Sequence, residues 1–123
     1  MFLEHVNLTV ASLERSIRFY QAVLRFDVRW KGHTKDGRPA AHVGDDRCYL
    51  ALFEAEPGDS NEVVQDYLKP GLNHFGFVVD DLDAAIGRLR AAGGSPHAEM
   101  DYEPGRRCYF MDPDGIEVEL VAY

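Results

Sequence analysis

The chain writes one pattern twice, at a constant offset of 69 in the numbering. His5-Val-Asn-Leu-Thr-Val10 recurs as His74-Phe-Gly-Phe-Val-Val79, Ser12-Leu13-Glu14 as Asp81-Leu82-Asp83, and Ile17 as Ile86. A repeat of this kind constrains the fold before any single residue does. Each copy is one supersecondary unit, and two copies stacked together bury what one cannot. The repeat also sets one histidine at the same point of each half. A pseudo-twofold axis between the halves would bring those two rings together.

Within the first copy, Val6, Leu8 and Val10 alternate with His5, Asn7 and Thr9, the period of a strand with one apolar face. Ser12 fits an N-cap with Glu14 in the first turn. Leu13, Ile17, Tyr20 and Leu24 follow at helical spacing. Residues 26–30 read as a strand, Asp36-Gly37 as a hairpin signal, and residues 40–43 and 47–53 as two more strands. The second copy repeats this order. Phe75 to Val79 is a strand, and Asp81 caps a helix through Leu82, Ile86 and Leu89 that Gly93-Gly94 ends. Strands follow at 96–100, 107–111 and 116–121, with a turn at Asp112-Pro-Asp-Gly115. The reading is an α+β fold of two β-α-β-β-β modules, 1–55 and 72–123, forming a half-barrel cleft. A linker at 56–71 carries Pro57-Gly58 and Pro70-Gly71, with a short helix expected at 62–68.

At 123 residues the chain is one domain's length. The net charge of −8 argues against nucleic acid, which needs a basic face. No apolar run approaches the ~20 residues of a membrane span. Met1-Phe-Leu-Glu4 lacks a basic stretch and an apolar core, so no signal peptide is expected. Cys48 and Cys108 are read as reduced, buried small residues, which fits a cytoplasmic setting.

Strand parity then selects a polar face. His5, Asn7 and Thr9 point away from the first helix, and His74 takes the role of His5. In the last strand Ile116, Val118 and Leu120 face the helix, so Glu117 and Glu119 share the face of the histidines. Inward carboxylates are costly unless paired or metal-bound. The repeat sets Ala51 opposite Glu119 in the alignment, one position short of the common offset. Ala51 cannot ligate, so two imidazoles and one carboxylate remain.

These residues resemble the vicinal oxygen chelate superfamily of glyoxalase I, bleomycin resistance proteins, extradiol dioxygenases and fosfomycin-resistance transferases. The likeness covers nearly the whole chain. It rests on His5 with Leu8 and Val10, Ser16-Ile-Arg-Phe-Tyr20, Leu24, Asn73-His74, and Phe110-Met-Asp-Pro-Asp-Gly115 followed by Glu117-Val-Glu-Leu120. The resemblance implies metal ligands at His5, His74 and Glu119. At Ala51 the chain departs from glyoxalase I, which has a carboxylate there. It therefore implies a three-ligand enzyme of the dioxygenase, lyase or transferase kind. One divalent ion, Fe(II) or Mn(II) ahead of Zn(II) or Ni(II), would hold a small substrate through adjacent oxygens. The alternative is a metal-free protein of the bleomycin-resistance type that sequesters a cationic or aromatic compound. A homodimer is implied in either case.

Around this set, Asn7 and Thr9 are candidate substrate donors. Tyr109 matches a substrate-contacting tyrosine of the fosfomycin-transferase branch, with a packed aromatic as the plainer reading. Arg107 could bind an anionic group, although Arg106 and Arg107 also read as a solvated loop pair. Glu117 reads as a supporting or rim carboxylate. Trp30 and Tyr49 could be walls of a substrate pocket, with core packing as the preferred reading, and His33, His42 and His97 read as histidines without equivalent partners. The catalytic acid or base is not assignable from the sequence.

Overall fold

Each alternating segment forms the strand its period demands. The structure, a computed structural model, describes residues 1–59 and 66–123. The contacts divide the chain into two units, Met1–Asn61 and Glu62–Tyr123. The first unit runs β1 (His5–Val10), α1 (Leu13–Leu24), β2 (Asp27–His33), β3 (Pro39–Gly44) and β4 (Tyr49–Glu54). The second runs β5 (Phe75–Val78), α2 (Leu82–Ala91), β6 (Ala98–Tyr102), β7 (Gly105–Met111) and β8 (Glu117–Ala122). The two sheets have matching orders, β1-β4-β3-β2 and β5-β8-β7-β6. The protein is thus α+β, with two β-α-β-β-β modules. No described helix is long and apolar enough to cross a membrane.

Capping explains where the helices begin. Ser12 Oγ accepts from the Arg15 amide at 3.3 Å and the Asp81 carboxylate from the Ala84 amide at 2.9 Å. These bonds satisfy amides that the first turn leaves without partners. Helix α1 buries Leu13, Ile17, Tyr20 and Val23, and α2 buries Leu82, Ala85, Ile86 and Leu89. Val23, rather than the expected Leu24, completes the first apolar stripe. On the sheets, Leu8, Val10, Leu50 and Leu52 in one unit, and Phe75, Val118 and Leu120 in the other, are buried hydrophobics. Each fully buried aliphatic side chain contributes about 1.5–3 kcal/mol.

Both units close their last hairpin in the same way. Asp45 Oδ1 accepts from the amides of Arg47 and Cys48 at 2.8 and 2.9 Å. Asp112 Oδ1 accepts from those of Asp114 and Ile116 at 2.8 and 2.9 Å. The first of these turns occupies residues 47 and 48, so β4 starts at Tyr49 rather than at 47. Gly115, with φ of 78°, supplies the left-handed position of the second. Strand β6 lies two residues later than expected, because its register with β7 sets Ala98 opposite Tyr109. The helix expected at 62–68 falls largely outside the described residues; Tyr67 and Leu68 form a turn.

Strand register fixes the equivalences that the sequence could only align. Asn7 pairs with Ala51, and Gly76, one repeat on from Asn7, pairs with Glu119. Ala51 is therefore the counterpart of Glu119. Across the next strand, His42 pairs with Ala51 and Tyr109 with Glu119, so His42 and Tyr109 also correspond.

Candidate functional site

In the second unit the polar face is built around two glutamates. Glu119 sits in mid-β8 with Arg107 Nη1 at 3.3 Å from Oε1 and His74 Nε2 at 3.2 Å from Oε2. Its strand neighbour is Gly76, where a Cβ would make only ordinary contact with the carboxylate, 3.5 Å from Oε2. Arg107 is neither solvated nor in a loop, as the paired-arginine reading had it. It is on β7, with its side chain only 15% exposed, its guanidinium over the Tyr102 ring, and its Nε buried without a partner. Parity alone separates it from Arg106, which faces outward and pairs with Asp83 at 3.0 Å.

Glu117 is more deeply placed than a rim carboxylate, at 5% side-chain exposure. A carboxylate so buried needs partners, and it has them. The Tyr67 hydroxyl donates to Oε1, His97 Nε2 is 3.1 Å from Oε2, and His74 Nδ1 is 3.7 Å from Oε1. His97, which has no equivalent in the other copy of the repeat, is thus held by Glu117. Tyr67 was missed altogether. The signal available for both was the buried parity position of Glu117, which obliges donors to converge on it.

Tyr109 stands edge-on to His74, with ring centroids 5.3 Å apart. Burial, then the Glu119 charge, push its phenol above the usual tyrosine value, against a hydrogen bond from Arg107 that pulls it down. It is therefore an O–H donor at neutral pH.

The first unit carries a different surface on the matching face. The rings of His5, Tyr49, His42 and Trp30 form a ladder, with successive centroids 4.9, 4.5 and 4.9 Å apart. The Arg29 guanidinium lies 4.7 Å over Tyr49. Trp30 is 44% exposed, which corrects its reading as core. Tyr49 is half-buried in the same ladder. Burial, then the charges of His5 and Arg29, lower the His42 pKa, so this ring is neutral at pH 7. Asn7 Nδ2 donates to the Ala51 carbonyl at 3.1 Å, and Thr9 is exposed on the same strand face. His33 is exposed at the end of β2.

One detail recurs in both units. His5 Nδ1 is 3.0 Å from Glu4 Oε2, and His74 Nδ1 is 2.8 Å from Asn73 Oδ1. Glu4 and Asn73 themselves stand at the repeat offset. Both partner atoms are oxygens that only accept, so the Nδ1–H form satisfies each contact, and in a neutral ring that form leaves Nε2 as a lone pair.

In that form the His74 lone pair faces the Glu119 carboxylate. Two acceptors 3.2 Å apart are compatible with a cation or a proton shared between them. The separation matches the bite of neighbouring ligands at ~2.1 Å from one ion. Imidazole and carboxylate are also the donors that first-row divalent metals take. The residues therefore fit a metal. Among the described residues no cage of three or more His, Cys, Asp or Glu donors is preformed; the preformed element is this pair.

Two β-α-β-β-β modules of matching strand order, each opening on a histidine, define a class of small α+β proteins built from one internal repeat. The sequence pattern of the Glyoxalase/Bleomycin resistance protein/Dioxygenase superfamily matches residues 2–120, and the chain belongs to that superfamily. It is 32% identical over 121 residues to a catechol-2,3-dioxygenase of Bacillus subtilis, covering 96% of this chain and 40% of that one. The chain thus spans less than half the length of that relative. It is 34% identical over 123 residues to a probable trivalent organoarsenical cleaving enzyme of the same organism, covering 94% and 76%. Among solved structures, a glyoxylase/bleomycin resistance protein/dioxygenase domain from Frankia sp. EAN1pec superposes with a TM-score of 0.84. That match has 28% identity and covers 99% of this chain and 97% of the other.

Proposed function

We propose that the protein is a divalent-metal enzyme whose ligands are His5, His74 and Glu119. The observation that carries this reading is the His74–Glu119 pair, Nε2 to Oε2 at 3.2 Å with Nδ1 already engaged by Asn73. His5 enters as the third ligand because it repeats the His74 arrangement at the matching strand position. Two imidazoles and one carboxylate suit Fe(II) or Mn(II) ahead of Zn(II) or Ni(II). When bound, the ion supplies Lewis-acid chemistry, gathering two adjacent substrate oxygens and stabilising negative charge on them.

The chain's own groups do the rest. Arg107 holds one Glu119 oxygen, so the carboxylate presents the other in one direction. Its unpartnered Nε is placed to donate to a substrate oxygen. Tyr109, kept protonated, donates from its phenol, and Asn7 and Thr9 contribute polar contacts from β1. The reaction class is that of a dioxygenase, lyase or transferase acting on a small oxygen-rich substrate, and the likeness to a catechol-2,3-dioxygenase supports the first of these. A homodimer in a cytoplasmic setting completes the proposal.

A second reading has its own observation. The four-ring ladder on the first unit is a ready surface for a flat or cationic compound, and the acidic net charge suits a cation. Metal-free sequestration would need nothing more. Thermal-shift measurement separates the two. Mn(II) at 100 times its Kd should stabilise the protein by about 2.7 kcal/mol, and Glu119→Gln should erase the shift. If no divalent ion stabilises the wild type while an aromatic cation quenches the single tryptophan, Trp30, sequestration is the function.

A further inference from the structure

We infer that Glu4 and Asn73 are a matched pair of positioning residues: each fixes the tautomer of the histidine that follows it and so aims its Nε2 lone pair. This rests on the metal reading above. The support is geometric and occurs twice. The contacts are 3.0 Å at Glu4–His5 and 2.8 Å at Asn73–His74, at positions one residue before each ring and one repeat apart. A chance surface contact has no reason to recur at the repeat spacing on the same ring atom. The chemistry is also directional. An oxygen acceptor at Nδ1 favours the Nδ1–H form. In the second unit Glu119 also meets Nε2 with an acceptor, at 3.2 Å. The shorter 2.8 Å contact from Asn73 is what tips the single proton of the neutral ring to Nδ1 and frees Nε2 for a cation. The opposite tautomer would have Nε2–H donate to Glu119, closing both groups to a cation.

The two partners differ in charge, and the surroundings account for it. His74 already has Glu119 and Glu117 within 3.2 and 3.7 Å. A third carboxylate there would add repulsion among buried anions, whereas an amide oxygen orients the ring without charge. His5 stands beside the Tyr49, His42 and Trp30 rings, and its partner Glu4 is 56% exposed. Solvent makes a charged acceptor cheap at that position, and a carboxylate on Nδ1 makes the ring a stronger donor at Nε2.

The experiment reads the tautomer directly. Imidazole 15N NMR of the metal-free protein at about pH 8, where unperturbed histidine is neutral, should show Nδ1–H for both rings. Asn73→Ala should shift His74 toward Nε2–H. Because Glu117 Oε1 is 3.7 Å from the same nitrogen, the Asn73→Ala/Glu117→Gln pair is measured beside it. Glu4→Ala, at an exposed position, should shift His5 alone. Loss of an orienting partner should weaken Mn(II) binding about 10–100-fold by titration, and Asn73→Asp, which keeps an acceptor oxygen, should restore the Nδ1–H form of His74. An Nε2–H wild type, or a tautomer unmoved in the double variant, overturns the inference. A wild type that shows Nδ1–H but binds no divalent ion leaves the positioning intact and overturns the metal reading instead.

Discussion

The two modules share a frame and differ in the face they present. Helix caps at Ser12 and Asp81, carboxylate-braced turns at Asp45 and Asp112, and sheets of identical order recur at nearly constant spacing. On the polar face the correspondence stops. The second module sets Glu119, Glu117, Arg107 and Tyr109 around its histidine; the first sets Tyr49, His42 and Trp30 around its own, with Ala51 where Glu119 would be. Duplication fixes packing, because each helix must cover the same apolar sheet face. It leaves the other face free to diverge, because strand parity keeps its side chains out of that core.

The largest test of this division falls on the frame. Leu52 pairs with Leu8 and Leu120 with Phe77, at corresponding points of the two sheets, and both leucines are 0% exposed. Leu52→Ala and Leu120→Ala should each cost about 2–5 kcal/mol by denaturant unfolding. The comparison predicts similar costs for the pair. A gap of several kcal/mol would mean that the modules share topology without sharing packing.

The next effect is smaller and separates the modules. Cys108 on β7 is fully buried, and burial, with some help from Glu99, pushes its thiol up to about 11. Cys48, at the turn of the first module, is half-buried; burial and then the Asp45 charge raise its thiol as well. A raised folded pKa means that the thiol form supports the fold. That support is whole below the unfolded value near 9 and disappears as pH climbs toward 11, an amount of about 2–3 kcal/mol for Cys108. Cys108→Ala should flatten the alkaline limb of the stability curve, and a thiol reagent should label Cys48 first. Equal labelling of the two in the native protein would contradict the burial assigned to Cys108.

How much of this was legible in the sequence follows from the same division. Alternation, caps and turn residues are local, so the strands, both helices and the parity of Glu119 could be read directly. Ala51 could be aligned to Glu119 only to within one residue; hydrogen-bonded register was needed to fix it. The parity of Glu117 called for donors to converge on it, but that Tyr67 and His97 are those donors was not legible, because they lie 50 and 20 positions away. Nothing periodic marks such contacts. The ladder of Trp30, His42 and Tyr49 was hidden for the same reason: it is a cross-strand property of β2, β3 and β4 together.

The smallest effect probes the turns that keep the two frames alike. Asp45 and Asp112 each accept two amide hydrogens, but Asp112 is 5% exposed and Asp45 is half-buried. An amide left without its partner costs more where water cannot replace it. Asp45→Ala should therefore cost about 1 kcal/mol and Asp112→Ala about 2 kcal/mol. The Cys48 and Arg47 amides hold the Asp45 carboxyl below its usual value, the Cys48 bond most strongly and against a smaller upward push from burial. A depressed carboxylate stabilises the fold above the usual carboxylate range, and that contribution fades as pH falls through its lowered value. Part of the acid limb of the stability curve should accordingly disappear in Asp45→Asn. An unchanged acid limb would mean that the turn is held by its backbone alone, and that the likeness of the two hairpins owes nothing to the shared aspartates.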